Sequence, residues 1–210
     1  MYICNVRDPY HASLLHLFFT TFRLNRLSAE GGIIMDASGG HHVSWSKAAT
    51  DRPSADYDVA EIRSRDERFA LADPSMIQGR DEVGDGVTLQ ILSVFPCFVL
   101  QQIQNCLCTR QVVPRGKDET ELIWTYFGFQ DDDAAMRLLR QKQANLVGPA
   151  GYVSMEDGAV GSFVRDGITA AGGEREILEM GGRDWGSQDT RATEAPLRGF
   201  WHVYRELMAL

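Results

Sequence analysis

Four short runs between Val87 and Phe129 constrain the fold of this chain more than any other feature. Val87 to Val94, Phe98 to Ile103, Leu107 to Val113 and Glu121 to Phe129 alternate or run apolar, with breaks at Phe95-Pro96 and Arg115-Gly116-Lys117. Runs of that length joined by such short turns predict consecutive strands of an antiparallel meander. One face of that sheet needs a cover, and helices supply it. Helical signals lie on both flanks. Apolar residues from Leu14 to Leu27 recur at helical spacing, with Asp8 and Pro9 as start signals and Gly31-Gly32 as the stop. Asp131-Asp132-Asp133 opens a helix from Ala134 to about Leu146, its carboxylates at the positive end of the dipole. Arg137, Arg140 and Lys142 are expected on its exposed side, and Gly148-Pro149-Ala150-Gly151 stops it. Further helices are predicted over 152–164 and, rich in aromatics, from Pro196 to Leu210. Ile33 to Asp36, His42 to Ser46 and Arg175 to Met180 read as additional strands. Residues 47–86 read as a surface insertion over a cavity mouth, with a short helix near 58–70. The class is α+β: an antiparallel β-sheet covered by helices on one side, as a single domain over 1–210.

Charge and hydropathy exclude several functions. A formal charge of −8 opposes a nucleic-acid partner, since backbone phosphates demand a basic surface. No apolar run approaches the roughly 18 residues of a membrane span. Arg7 and Asp8 interrupt the start before a signal-peptide core can form, so the cytoplasm is the expected compartment. Cys4, Cys97, Cys106 and Cys108 do not space as a disulfide framework and are expected to stay thiols. Cys106 and Cys108 share one strand face and read as small core residues.

The chemistry concentrates in Asp8-Pro9-Tyr10-His11-Ala12-Ser13-Leu14-Leu15-His16, which holds two of the chain's five histidines. Neutral imidazoles are natural ligands for a divalent first-row metal. A step of five residues misses the one-face spacing of three or four. A metal site here therefore needs a distorted helix and a third ligand from elsewhere. Packing or capping accounts for the same pair.

Asp-x-x-His-x-x-x-x-His over 8–16, followed by Gly148-Pro149-Ala150-Gly151 and then a carboxylate, resembles the catalytic domain of the large (alpha) subunit of Rieske non-haem iron aromatic-ring-hydroxylating oxygenases. Tyr10 to His16, Gly39 to Ser44, Val87 to Asn105, Gln143 to Leu146, Ser154 to Gly161 and Arg191 to Glu194 carry the resemblance along the chain. Within the family it is most similar to the branch acting on aromatic carboxylates of the terephthalate type. The resemblance implies a helix-grip (START-like) fold. It implies a facial triad for mononuclear Fe(II), with Asp157, next to Glu156, as the third ligand beside His11 and His16. Asp36, Asp131 and Asp166 remain ordinary acidic residues. Asp8 would accept a hydrogen bond from His11 and relay electrons from a Rieske cluster in a neighbouring subunit; helix capping is the alternative at the same place. Asn5 is a weaker candidate near the metal. Arg110 and Arg191 would clamp a substrate carboxylate, with a hydrogen bond from Ser44. Structural ion pairs for the arginines and an ordinary strand hydroxyl for Ser44 are the alternatives. Trp45, Ile91, Val94 and Leu100 are candidates for the slot or for plain core packing.

The implied reaction is cis-dihydroxylation of an aromatic carboxylate with O2, with electrons passing from NAD(P)H through a separate reductase and a [2Fe–2S] cluster. The family carries that cluster in a preceding Rieske domain, whose Cys-x-His and Cys-x-x-His ligands do not occur in this sequence. Met1 to Asn5 read as the tail of the strand leaving that domain, with Cys4 where relatives tend to carry Glu. The expectation is a truncated or split gene product, inactive alone and completed by a Rieske-bearing chain. A small beta subunit, a reductase and an alpha3 or alpha3beta3 trimer are implied partners. Two other readings stay open: a non-catalytic aromatic-acid-binding module, and an inert remnant of a split or truncated gene.

Overall fold

The structure, a computed structural model, describes residues 2–22, 27, 29–48, 71–116, 119–173, 175 and 177–210. The insertion helix expected near 58–70 falls outside these residues, or at their edge, and so does most of the insertion over the cavity mouth.

Six strands form one antiparallel sheet in chain order: β1 Gly31–Met35, β2 His42–Lys47, β3 Val87–Val94, β4 Phe98–Ile103, β5 Cys106–Pro114 and β6 Thr120–Phe127. The meander is the one the alternation predicts. Arg175 to Met180 is the exception: its described residues form loop, with Ile177 exposed. Met180 N–H donates to the Glu194 carboxylate instead of to a strand partner.

The register sets two rows across the inner face. One runs Ile33, Ser44, Ile91, Gln101, Cys108, Tyr126, and the next runs Met35, His42, Ser93, Val99, Arg110, Trp124. Side chains alternate along a strand, so Trp45, Val94 and Leu100 fall on the opposite face. Of the four slot candidates only Ile91 points inward. The inner face is unusually polar for a sheet interior: Ser44, Ser93, Gln101 and Arg110 are all buried there.

The helices are α1 Tyr2–Arg7, α2 His11–Leu15, α3 Leu17–Phe22, α4 Ala134–Val147, α5 Tyr152–Ala170 and α6 Ala195–Met208. Two departures from expectation matter. Residues 2–7 are helix, not the tail of a strand. The helix expected over 8–27 is broken at His16, whose backbone is extended at φ −76° and ψ 101°. Arg7 fixes α1 in place: it is buried, donates to the Gly40 carbonyl at 3.1 Å and lies 4.8 Å over the Phe200 ring of α6.

The Asp133 side chain caps α4 by accepting Met136 N–H at 2.6 Å. Arg140 is not on the exposed side as expected. It is buried between Asp132 and Glu82 and donates to the Asn105 carbonyl. Two carboxylates allow a cation to sit there, which the helix periodicity alone does not reveal.

The main apolar core joins Phe18, Phe19, Cys106, Leu146, Val147 and Val153. Fully burying one Phe is worth up to about 3 kcal/mol. This core clamps α3 against α4 and α5, and Tyr152 stacks on Phe18 at 5.3 Å. The α4–α5 turn is tight. A Cβ on Gly151 would meet the Leu146 carbonyl at 2.5 Å, and one on Gly148 would collide with the Ala144 carbonyl. The turn therefore fixes where α5 begins, and with it the position of Glu156 and Asp157.

Candidate metal centre

The break at His16 resolves the awkward five-residue step. It turns His16 back toward His11, and the two ring centroids lie 5.2 Å apart. The first turns of α5 then deliver Asp157 between them. His11 Nε2 and His16 Nε2 each lie 3.4 Å from Asp157 Oδ1. All three donor atoms fall within 4.8 Å of one another.

The opposite nitrogens fix the tautomers. His11 Nδ1 lies 2.6 Å from the Asp8 main-chain carbonyl, which can only accept. His16 Nδ1 donates to Glu156 Oε2 at 3.0 Å, and Glu156 Oε1 accepts Phe18 N–H at 3.0 Å. Both Nδ1 atoms are thus donors, and both Nε2 atoms turn toward Asp157. Such partners orient a metal-binding imidazole and raise its basicity. Neighbours on a helix diverge by about 100°, so adjacent Glu156 and Asp157 serve the two sides of one ring. Asn5 Nδ2 donates to Asp157 Oδ1 at 3.0 Å.

Asp8 departs from the role implied for it. Its carboxylate accepts the N–H groups of Tyr10 and His11, both at 3.2 Å, as a cap does. The carboxylate stands 3.8 Å from His11 Nδ1, and the main-chain carbonyl takes the imidazole hydrogen bond.

The donor set fits a facial triad. Bonds of about 2.1 Å at right angles place neighbouring donors about 3 Å apart, and the two histidine–carboxylate spacings of 3.4 Å stand within tenths of an ångström of that. Two imidazoles with one carboxylate, and no thiolate, suit iron(II). Burial pulls the His11 pKa down, but its contact with the Asp157 carboxylate and the nearby Asp8 carboxylate outweigh it and raise it to about 9. Burial, aided by the nearby His11 charge, lowers His16. Burial pushes Asp157 up, yet His11, His16 and Asn5 together bring it below the usual carboxylate range.

A pH dependence follows. With its pKa raised to about 9, metal-free His11 is expected to carry a proton at neutral pH and to pair with Asp157. Iron(II) uptake at pH 7 is expected to release about one proton, with affinity falling about tenfold per pH unit below 9. Calorimetry in two buffers of different ionisation enthalpy counts that proton. In the metal-free chain, the raised His11 contributes stability that is full below its ordinary 6.5 and lost as pH rises through about 9.

The triad stands in the wall of a cleft with about 670 Å³ of empty space, part of it open to solvent. Ser44, Arg110, Arg191 and Ile91 line the same cleft. The sequence reading therefore picks residues that the fold brings together. Arg110 is buried and forms no ion pair among the described residues; its Nη1 donates to the Tyr2 hydroxyl at 3.0 Å and its face lies 5.1 Å from the Trp124 ring. Arg191 is 2% exposed. Glu156, Tyr2, Gln101 and Trp124 are absent from the sequence-based candidates. The adjacent carboxylates of 156–157 and the i,i+3 pair Tyr2 and Asn5 are the signals that point to the first two.

The sequence profile of the ring hydroxylating alpha subunit (catalytic domain) family matches residues 2–210. The chain is 57% identical over 208 residues to the terephthalate 1,2-dioxygenase terminal oxygenase component subunit alpha 2 of Comamonas sp, covering 99% of this chain and 50% of that protein. It is 44% identical over 209 residues to the anthranilate 1,2-dioxygenase large subunit of Burkholderia cepacia, covering 99% of this chain and 49% of that protein. The crystal structure of naphthalene 1,2-dioxygenase from Rhodococcus sp. bound to indole superposes with a TM-score of 0.70 at 17% identity, covering 99% of this chain and 52% of that one. At that identity the likeness speaks for the fold. The chain spans about half the length of the curated relatives it matches.

Proposed function

Because the chain belongs to the ring-hydroxylating alpha-subunit catalytic-domain family, we propose that it is the catalytic half of a dioxygenase acting on an aromatic carboxylate of the terephthalate type. The observation that carries this reading is the convergence of His11 Nε2, His16 Nε2 and Asp157 Oδ1 in the wall of a cleft that also holds Arg110 and Arg191. Iron(II) held by those three residues would supply dioxygen activation in a reaction that adds both oxygen atoms to the ring, with two electrons and two protons completing the cis-dihydrodiol.

The chain's own residues bind, orient and exclude water. Glu156 and the Asp8 carbonyl keep the two imidazoles in their ligand tautomers. Arg110 and Arg191 hold the substrate carboxylate, because a guanidinium matches a carboxylate with a bidentate fork. Ser44 adds a hydrogen bond, and Ile91 presents an apolar wall beside the ring. Asp8, whose carboxylate holds the turn ahead of His11, would stand between this site and a Rieske cluster on another chain that supplies the electrons. That chain, a reductase using NAD(P)H and a small beta subunit are the proposed partners, in a trimeric assembly. Among the described residues no helix is long and apolar enough to cross a membrane.

The test mixes the iron-loaded chain with a separately produced Rieske-bearing chain, reductase, NADH and terephthalate. The expected product carries both atoms of ¹⁸O2, and omitting any component stops its formation. Terephthalate that binds without ever being converted in the full mixture favours the binding-module reading instead.

A further inference from the structure

Arg110 is held in an unusual way for a buried cation. Tyr2 occupies its Nη1, Trp124 packs against its face, and among the described residues its buried Nε has no acceptor. The Nε edge is the side a carboxylate engages in a fork-to-fork contact. One row away on the same inner face, Gln101 is 2% exposed, and among the described residues its Nε2 is also buried without an oxygen or nitrogen acceptor. It faces the Cys108 thiol, a weak acceptor. Both residues line the cleft. Buried donors left unpaired are costly, so two on one wall imply a ligand that brings acceptors.

The placement of Tyr2 is equally specific. Tyr2 and Asn5 lie three apart on α1, so they share a helix face. Asn5 reaches Asp157 while Tyr2 reaches Arg110. With Arg7 anchoring the end of that helix, one short element sets both the triad carboxylate and the guanidinium.

We propose that Tyr2 and Gln101 determine specificity for a carboxylate: Tyr2 positions Arg110 so that its Nε edge is presented to the substrate, and Gln101 Nε2 donates to the same carboxylate. This rests on the reading of the cleft as an aromatic-carboxylate site. Neither residue touches the triad imidazoles, so the effect belongs to substrate choice.

Calorimetric titration of the full chain, with iron(II) supplied under argon, tests this with benzoate and with neutral benzamide as probes. Tyr2→Phe and Gln101→Met are each expected to reduce the preference for benzoate over benzamide about tenfold, as loss of one hydrogen bond to a charged group implies. Iron affinity and thermal midpoint should not move. A preference unchanged in either variant overturns the role of that residue, while loss of benzoate binding in Arg110→Ala leaves the carboxylate reading standing. Equal losses for benzoate and benzamide point to packing and overturn the proposal too. If the parent shows no preference for benzoate, or Arg110→Ala binds it like the parent, the carboxylate reading itself fails.

Discussion

Replacing Asp157 with alanine is expected to abolish stoichiometric iron(II) binding, a loss of more than about a hundredfold in affinity. Side chains that merely orient a metal ligand are worth roughly 10–100-fold, and Asp157 stands at the centre of the donor set, 3.4 Å from both imidazoles. Its removal leaves two neutral rings and no negative charge to offset a dication. Glu156→Ala falls in the smaller range, because it frees the His16 ring to rotate but keeps all three donors. Asp36→Ala is the control: that carboxylate holds the turn before β2 through Ser38 and His41 N–H and lies outside the donor set. Anaerobic dialysis against iron(II) followed by metal analysis reads all three variants. Asp157→Asn separates charge from shape, and circular dichroism establishes that each variant folds.

The second large effect is at Arg110. Arg110→Ala is expected to weaken binding of terephthalate and benzoate by about a hundredfold, equivalent to about 3 kcal/mol for charge-assisted hydrogen bonds. Binding of benzamide should change far less. Among the described residues no carboxylate pairs with this arginine, and its Nη1 donates to the Tyr2 hydroxyl instead. Arg110→Lys restores the charge without the fork, so it should recover only part of the affinity. Equilibrium titration with each ligand measures the difference. Equal losses for the acids and the amide would mean that the substitution collapsed the wall beside Trp124, not a contact to the substrate.

The meander was legible because short alternating or apolar runs broken by tight turns are a strong, local signal, and β3 to β6 supply four of them in a row. The helix caps were legible for the same reason, as at Asp133. The break at His16 was foreshadowed only as a need, since the spacing of the two histidines demanded a distortion without saying where. The positions across the sheet were not legible. Which of Ser44 and Trp45 faces the cleft depends on register, and a shift of one residue inverts every face. Arg140 was misplaced because its two carboxylates come from distant segments, and periodicity cannot see them. Tyr2 and Glu156 escaped for the same reason: each acts on a residue more than a hundred positions away. The choice of Asp157 as candidate third ligand rests on family resemblance and not on spacing, and the fold gives it a physical context in the short turn that starts α5.

The claim on which the rest depends is that His11, His16 and Asp157 together hold one iron. Iron K-edge X-ray absorption of the iron-loaded chain addresses it most directly. Nitrogen and oxygen scatterers only are expected, with outer-shell scattering from two imidazoles that falls by half in His11→Ala. Sulfur scattering from the cysteines, or an imidazole signal unchanged in that variant, would contradict it.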